Sequence, residues 1–262
     1  MSAEKTESVI LSLTPYSETS CILRLFTRGR GLVHGIAKGI RKGGKSATPI
    51  DRGFLLEAQL YYRPNRELHT LGSLHVTNFF TGIRSDITKS AIRDIALELY
   101  LKSIKQSDSH PELFELIVSF FAVLENSPKS EFLFPLLWRF ICKYCLLMGF
   151  GIDTGNCKAC GADIDRDTGN NNADDIHVLE IESGALICKR CALLNGSARI
   201  NADRCIGSSV IRFIDESNDN PPRCQQEKNE HLRITELLLL YCRRHLDIRT
   251  LLNSFEFVKS MY

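Results

Sequence analysis

The chain has 262 residues, 44% hydrophobic and 24% charged, with a formal net charge of +2 and ten cysteines. That length allows one large domain or two to three small ones, and the near-neutral total excludes a uniformly basic protein, so any nucleic-acid surface has to be local. No run of about 18 apolar residues marks a membrane span, no signal peptide is expected from the polar residues 1–8, and ten cysteines in that setting predict reduced thiols, metal and a cytoplasmic location.

Residues 1–80 read as a β domain. Strands are expected over 8–13, 20–26, 32–37, 54–62 and 68–80, with a turn at 15–18 and a glycine-bearing hairpin turn at 27–31. Five short strands with glycine at the bends predict a small closed barrel of the OB type. Arg24, Arg28, Arg30, Lys38, Arg41, Lys42 and Lys45 follow one another with no acid between them, and Gly39, Gly43 and Gly44 punctuate the run. Residues 38–45 therefore form a cationic loop suited to a phosphate backbone, and these seven residues are the candidate nucleic-acid contacts. Phe26, Tyr61 and Tyr62 are either core residues or base-stacking surfaces.

Gly39, Gly44, Lys45 and Ser46 also satisfy the G-x-x-x-x-G-K-[ST] spacing of a nucleotide-binding loop. Such a loop needs a helix directly after the serine. Pro49 and Gly53 break one here, so the cationic-loop reading is preferred.

From residue 81 the period changes to helical. Helices are expected over 87–107, 111–124 and 130–149, with Ile92, Ile95, Ala96 and Leu99 forming the buried face of the first. The third is apolar nearly all round and reads as the central helix of a bundle. Pro135 inside it allows a break near Phe134, and Gly149 ends it. A sharper reading lines a partner-peptide groove with this helix, using Arg139 and Lys143 as its cations. Cys142 and Cys145, three apart on one helix face, read as buried core thiols rather than a second metal pair.

Cys157-x-x-Cys160 and Cys188-x-x-Cys191 are the most specific signal in the chain. Each two-residue spacing lets the backbone turn so that both thiolates face one point, and four thiolates suit a tetrahedral Zn²⁺. Four protein ligands leave no position for water, so the ion is expected to be structural. The insert between the pairs is acidic, with Asp163, Asp165 and Asp167 in part of a calcium-loop spacing, but helical flanks are missing. Residues 177–181 alternate like a strand and 185–187 lead back to Cys188, a zinc-ribbon-like hairpin. Helices are expected over 206–215, 231–244 and 251–261. Arg243, Arg244 and His245 either complement the dipole of the second or meet phosphate.

No nucleophile stands in a recognisable catalytic setting, and no carboxylate pair lies among apolar residues, so no enzyme activity is expected. The predicted class is α+β: an N-terminal OB-type β-barrel (1–80), then an all-α domain (81–156 and 192–262) with an inserted four-cysteine zinc-ribbon-like module (157–191). The residues alone predict a nucleic-acid-binding protein. A zinc-ribbon RNA-binding or transcription-associated OB protein is the alternative.

Tyr16-Ser-Glu18, Leu25-Phe-Thr27, Arg30-Gly31, Ile36-Ala-Lys-Gly39 and Leu147-Met-Gly-Phe150 carry a further signal. With the order of barrel, helices and four cysteines, the chain resembles the bacterial recombination mediator family RecO over most of its length. The resemblance implies DNA repair by homologous recombination, binding of single- and double-stranded DNA, and strand annealing. It also implies replacement of single-strand binding protein by the recombinase RecA together with RecR. Docking of the C-terminal tail of single-strand binding protein on the helical domain and a nucleoid-associated place in the cytoplasm belong to the same implication.

Overall fold

The computed structural model describes residues 3–40, 49–106, 108–127, 133–164, 176–194, 202–215 and 228–262. The chain forms two compact units, residues 1–126 with 252–258, and residues 127–251 with 259–262. Among the described residues no helix is long and apolar enough to cross a membrane.

The first unit is built on five strands, β1 (Glu4–Pro15), β2 (Cys21–Thr27), β3 (Gly31–Ala37), β4 (Leu55–Tyr61) and β5 (Leu68–Asn78), closed in the order β1-β2-β3-β5-β4. The expected OB-like barrel is therefore present. β1 is longer than expected because it serves two neighbours. Its first half pairs with β4, and a register shift between Ile10 and Ser12 interrupts its pairing with β2. Such an irregularity sharpens the bend a closed sheet needs. Closure comes from the parallel pairing of β3 with β5, where His34 faces Leu68 and Ala37 faces Leu71. At Gly35 a β-carbon would lie 2.5 Å from the Leu71 side chain, so glycine makes that approach possible. The alternating inward residues Leu23, Leu25, Val33, Leu56, Ala58 and Leu60 fill the barrel. Each fully buried side chain of Leu or Val size contributes roughly 1.5–3 kcal/mol over its exposed state.

Helices α1 (Thr81–Arg84), α2 (Ile87–Ser103) and α3 (Pro111–Asn126) complete this unit. Asp86 caps α2 by accepting from Lys89 N at 3.0 Å. The face Ile92, Ile95, Ala96 and Leu99 is buried as expected. Phe26 turns outward from β2 and is wholly buried, with its ring 5.1 Å from Tyr100 and 6.1 Å from Phe114. That removes Phe26 as a base-stacking surface: it is core. Glu98 on α2 accepts from the backbone N–H groups of Asn253 and Ser254 at 3.0 and 2.8 Å and from the Ser254 hydroxyl at 2.6 Å. It thereby caps the start of α8 (Asn253–Met261).

In the second unit α4 (Leu133–Leu147) is buried nearly all round. Pro135 falls in its first turn, where a missing N–H costs nothing, so no break follows. Gly149, at φ 87°, ends the helix: Gly149 N donates to Leu146 O and Phe150 N to Cys145 O, both at 3.0 Å, the Schellman pattern. α4 packs on α7 (Lys228–His245) and α6 (Ser208–Asp215). The buried Trp138 Nε1 donates to Thr235 Oγ1 at 2.8 Å, and that hydroxyl donates to His231 O at 2.7 Å. Cys145 and Cys142 are buried, and Cys145 Sγ meets Cys242 Sγ of α7 at 3.1 Å, consistent with core thiols.

Candidate metal centre and nucleic-acid face

The cysteine module is a three-stranded sheet, β7 (Leu186–Cys188), β6 (Ile176–Leu179) and β8 (Cys205–Gly207), followed after β7 by the short helix α5 (Lys189–Leu194). β6 and β7 form the expected hairpin, with His177 opposite Cys188. β8 replaces the start of the helix expected at 206: Ile206 pairs with His177, and the helix begins at Ser208.

Cys157 and Cys160 lie on a tight turn. Gly161 N donates to Cys157 O at 2.8 Å and Cys157 N to Ala162 O at 2.7 Å, with Gly161 at φ 70°. Lys158 N donates to Leu186 O at 3.0 Å and ties this turn to β7. Cys188 ends β7 and Cys191 lies in α5. The four sulfurs all lie within 4.8 Å of one another.

A tetrahedron with bonds of about 2.3 Å has edges of about 3.8 Å. The Cys160–Cys188 separation of 4.0 Å is already close to that. Cys157 is buried and receives a backbone N–H from Cys188 at 3.3 Å. Burial opposes its thiolate, but N–H donors from Cys188, Cys160 and Ala159 outweigh that and bring it down to about 6. An N–H from Ala162 lowers Cys160 as well. Cys191 moves the other way, pushed up to about 12 by its contacts with Cys160 and Cys188, so the sulfurs share protons among themselves until a metal displaces them. Four soft donors in this arrangement fit zinc or iron, and among the described residues no further His, Cys, Asp or Glu joins them.

The candidate nucleic-acid residues divide by what they touch. Arg24 is exposed at mid-β2, between Ser12 of β1 and His34 of β3, and makes no ion pair among the described residues. Burial, and then the charge of Arg24, holds His34 below its usual value. Lys38 is exposed just past β3 and is likewise without an ion pair. Arg28 lies 4.7 Å from the Phe114 ring centre and pairs with Glu7 at 2.7 Å and with Glu115. Arg30 is forked onto Glu4, which holds the carboxylate below its usual range. Arg41, Lys42 and Lys45, with the nucleotide-loop spacing around them, lie outside the described residues.

The loop between β4 and β5 adds Arg63 and the exposed Arg66, which the sequence reading passed over. The signal for them was topological: in an OB barrel this loop borders the ligand-binding strands. Tyr62, a stacking candidate, is already engaged by Arg30, at 4.0 Å from its ring centre, and by His69, stacked at 4.5 Å. On α4, Arg139 lies 4.5 Å from the Phe213 ring centre while Lys143 is exposed. Arg243 donates to Ile248 O and Arg249 O just beyond the end of α7, and Arg244 pairs with Glu182.

Comparison with known proteins agrees with this arrangement. Residues 1–80 match the family described as "Recombination protein O N terminal", and residues 84–251 match "Recombination protein O C terminal". A DNA repair protein RecO from Syntrophus aciditrophicus is 29% identical over 188 residues, covering 71% of this chain and 69% of its own. One from Geobacter metallireducens is 26% identical over 216 residues, covering 80% and 81%. One from Anaeromyxobacter dehalogenans is 30% identical over 129 residues, covering 49% and 51%. With an OB-like barrel, a helical bundle and a four-cysteine cluster in that order, the chain belongs to the recombination protein O family of DNA repair proteins.

Proposed function

We propose that this chain is a recombination mediator and not an enzyme. It binds single- and double-stranded DNA, anneals complementary strands, and with RecR helps RecA displace single-strand binding protein. The observation that supports this reading most is the outer face of β2 and β3. There Arg24 stands exposed at mid-strand with no acid against it among the described residues, and Lys38 stands at the strand end, just before Arg41, Lys42 and Lys45 in the sequence. Unpaired cations on a barrel face displace counterions from phosphates without first giving up a protein partner.

In this reading residues 1–80 hold DNA, and the helical residues 81–156 and 192–262 receive the acidic tail of single-strand binding protein. Residues 157–191 are shaped by a Zn²⁺ ion on Cys157, Cys160, Cys188 and Cys191. When bound, the ion supplies four bonds that hold the two turns together. In this reading the chain works in the cytoplasm, at the nucleoid, which the expectation of reduced thiols supports. Annealing of two complementary strands, with and without single-strand binding protein, tests the reading. Acceleration in both conditions is expected; no acceleration in either rejects it.

A further inference from the structure

Arg30 is held from three sides. Its backbone N–H donates to Thr27 Oγ1 at 3.1 Å, and that hydroxyl donates to Gly31 O at 3.0 Å, which fixes the β2–β3 turn. Its guanidinium edge forks onto the two oxygens of Glu4, with Nη2 to Oε2 at 2.8 Å. The guanidinium carbon lies over the Tyr62 ring, 4.0 Å from its centre, and that ring in turn stacks on the buried His69 at an angle of 29°. Arg63 N donates to His69 Nδ1 at 3.3 Å, which fixes the imidazole at the bottom of the pile.

This arrangement suits one ligand chemistry and disfavours another. A phosphate approaching Arg30 meets the Glu4 carboxylate, so the local charge is balanced and little counterion release is available. A nucleobase needs no net charge. It needs a flat, rigid, weakly hydrated surface, which a guanidinium plane provides. The Arg30 side chain is 38% exposed, so solvent and ligands reach part of it. Arg66 stands exposed in the adjacent β4–β5 loop, within the same end of the barrel as Tyr62 and His69.

We propose that the outward face of Arg30 is a stacking seat for one unpaired nucleobase, extending the His69–Tyr62–Arg30 pile by one layer, while Arg24 and Arg66 meet the flanking phosphates. This rests on the DNA-binding reading above and assigns Arg30 to base selection rather than to charge.

The full chain is titrated with a single-stranded oligodeoxythymidylate and with an abasic strand of equal length, which keeps the phosphates and removes the bases. The intact protein should prefer the thymidylate. Arg30→Lys keeps the charge but loses the plane, and should weaken thymidylate binding by about five- to thirtyfold. Its abasic binding and salt slope should be unchanged. Arg30→Gln keeps a plane without charge, and should retain more of the preference for bases than Arg30→Lys does. Equal losses on both strands, or Arg30→Lys behaving as the intact protein while Arg30→Gln loses the preference, overturn the proposal. An intact protein that binds neither strand overturns the DNA-binding reading itself.

Discussion

The guanidinium of Arg30 lies 4.0 Å from the ring centre of Tyr62 while its edge is forked onto Glu4. Three residues on, Glu7 accepts from Arg28 at 2.7 Å. Two cations of the basic run are therefore balanced by acids of β1, the strand lying against β2. Among the described residues, Arg24 and Lys38 are not balanced in this way. The distinction separates residues that hold the barrel and its helices together from residues with charge to offer a ligand.

Arg24 and Lys38 replaced together by Ala should weaken binding to any single-stranded sequence. The salt slope should become shallower by about 1.4, at roughly 0.7 per lost contact. Arg28→Ala should leave that slope unchanged and instead lower stability by about 1 kcal/mol, through its contacts with Glu7, Glu115 and Phe114. Salt titrations of the variants, run beside their thermal melts, distinguish the two classes. A shallower slope in Arg28→Ala would assign it to the interface after all.

Arg41, Lys42 and Lys45 replaced together should reduce the slope by up to about 2 on a single strand, with the loss independent of base sequence. A slope equal to that of the intact protein removes this stretch from the interface.

Cys157→Ser takes away a buried sulfur of the cluster, one whose pKa is brought down to about 6. Metal content should fall to near zero, and the second unit should melt about 10 °C lower. The lone tryptophan, Trp138, is buried in that unit and hydrogen-bonded to Thr235, so its emission reports the loss directly. The first unit should keep its affinity for DNA at temperatures below the melt. A metal-free variant as stable as the intact protein contradicts a structural role for the cluster.

Glu98 gives a pH-dependent contribution whose sign is fixed. Burial raises its pKa, but Lys102, the Ser254 hydroxyl and N–H, and the Asn253 N–H together outweigh that and lower it. A carboxylate lowered on folding adds stability above the unfolded value of about 4.3, and that stability is lost as pH falls through the folded value. Glu98→Gln should therefore cost about 1–2 kcal/mol at neutral pH. The difference from the intact protein should shrink as pH drops below about 4. Denaturant melts at several pH values measure it, and a gap that widens with acid would refute the capping role.

Much of the architecture was legible in the residues. Alternation gave the five strands because one side of each faces a filled barrel, as Leu23 and Leu25 do against Arg24. The two C-x-x-C pairs located the metal cluster because their spacing encodes a turn. Long-range pairing was not legible. β8 escaped because three residues carry no period, and Ile206 reads equally well at a helix start. The run from Arg24 to Lys45 contains no acid, yet Glu4 and Glu7 reach Arg30 and Arg28 across the sheet, because strand partners are set by register and not by sequence distance. For the same reason nothing local showed that Glu98 would cap a helix beginning at Asn253.

The most direct test of the account is the affinity of the intact chain for single-stranded DNA, duplex DNA and RNA of equal length across a range of salt. Binding to both DNA forms is expected, weakening with salt on the single strand at a log–log slope of about −1.4 or steeper. Absence of DNA binding at low salt, or a clear preference for RNA, would contradict it.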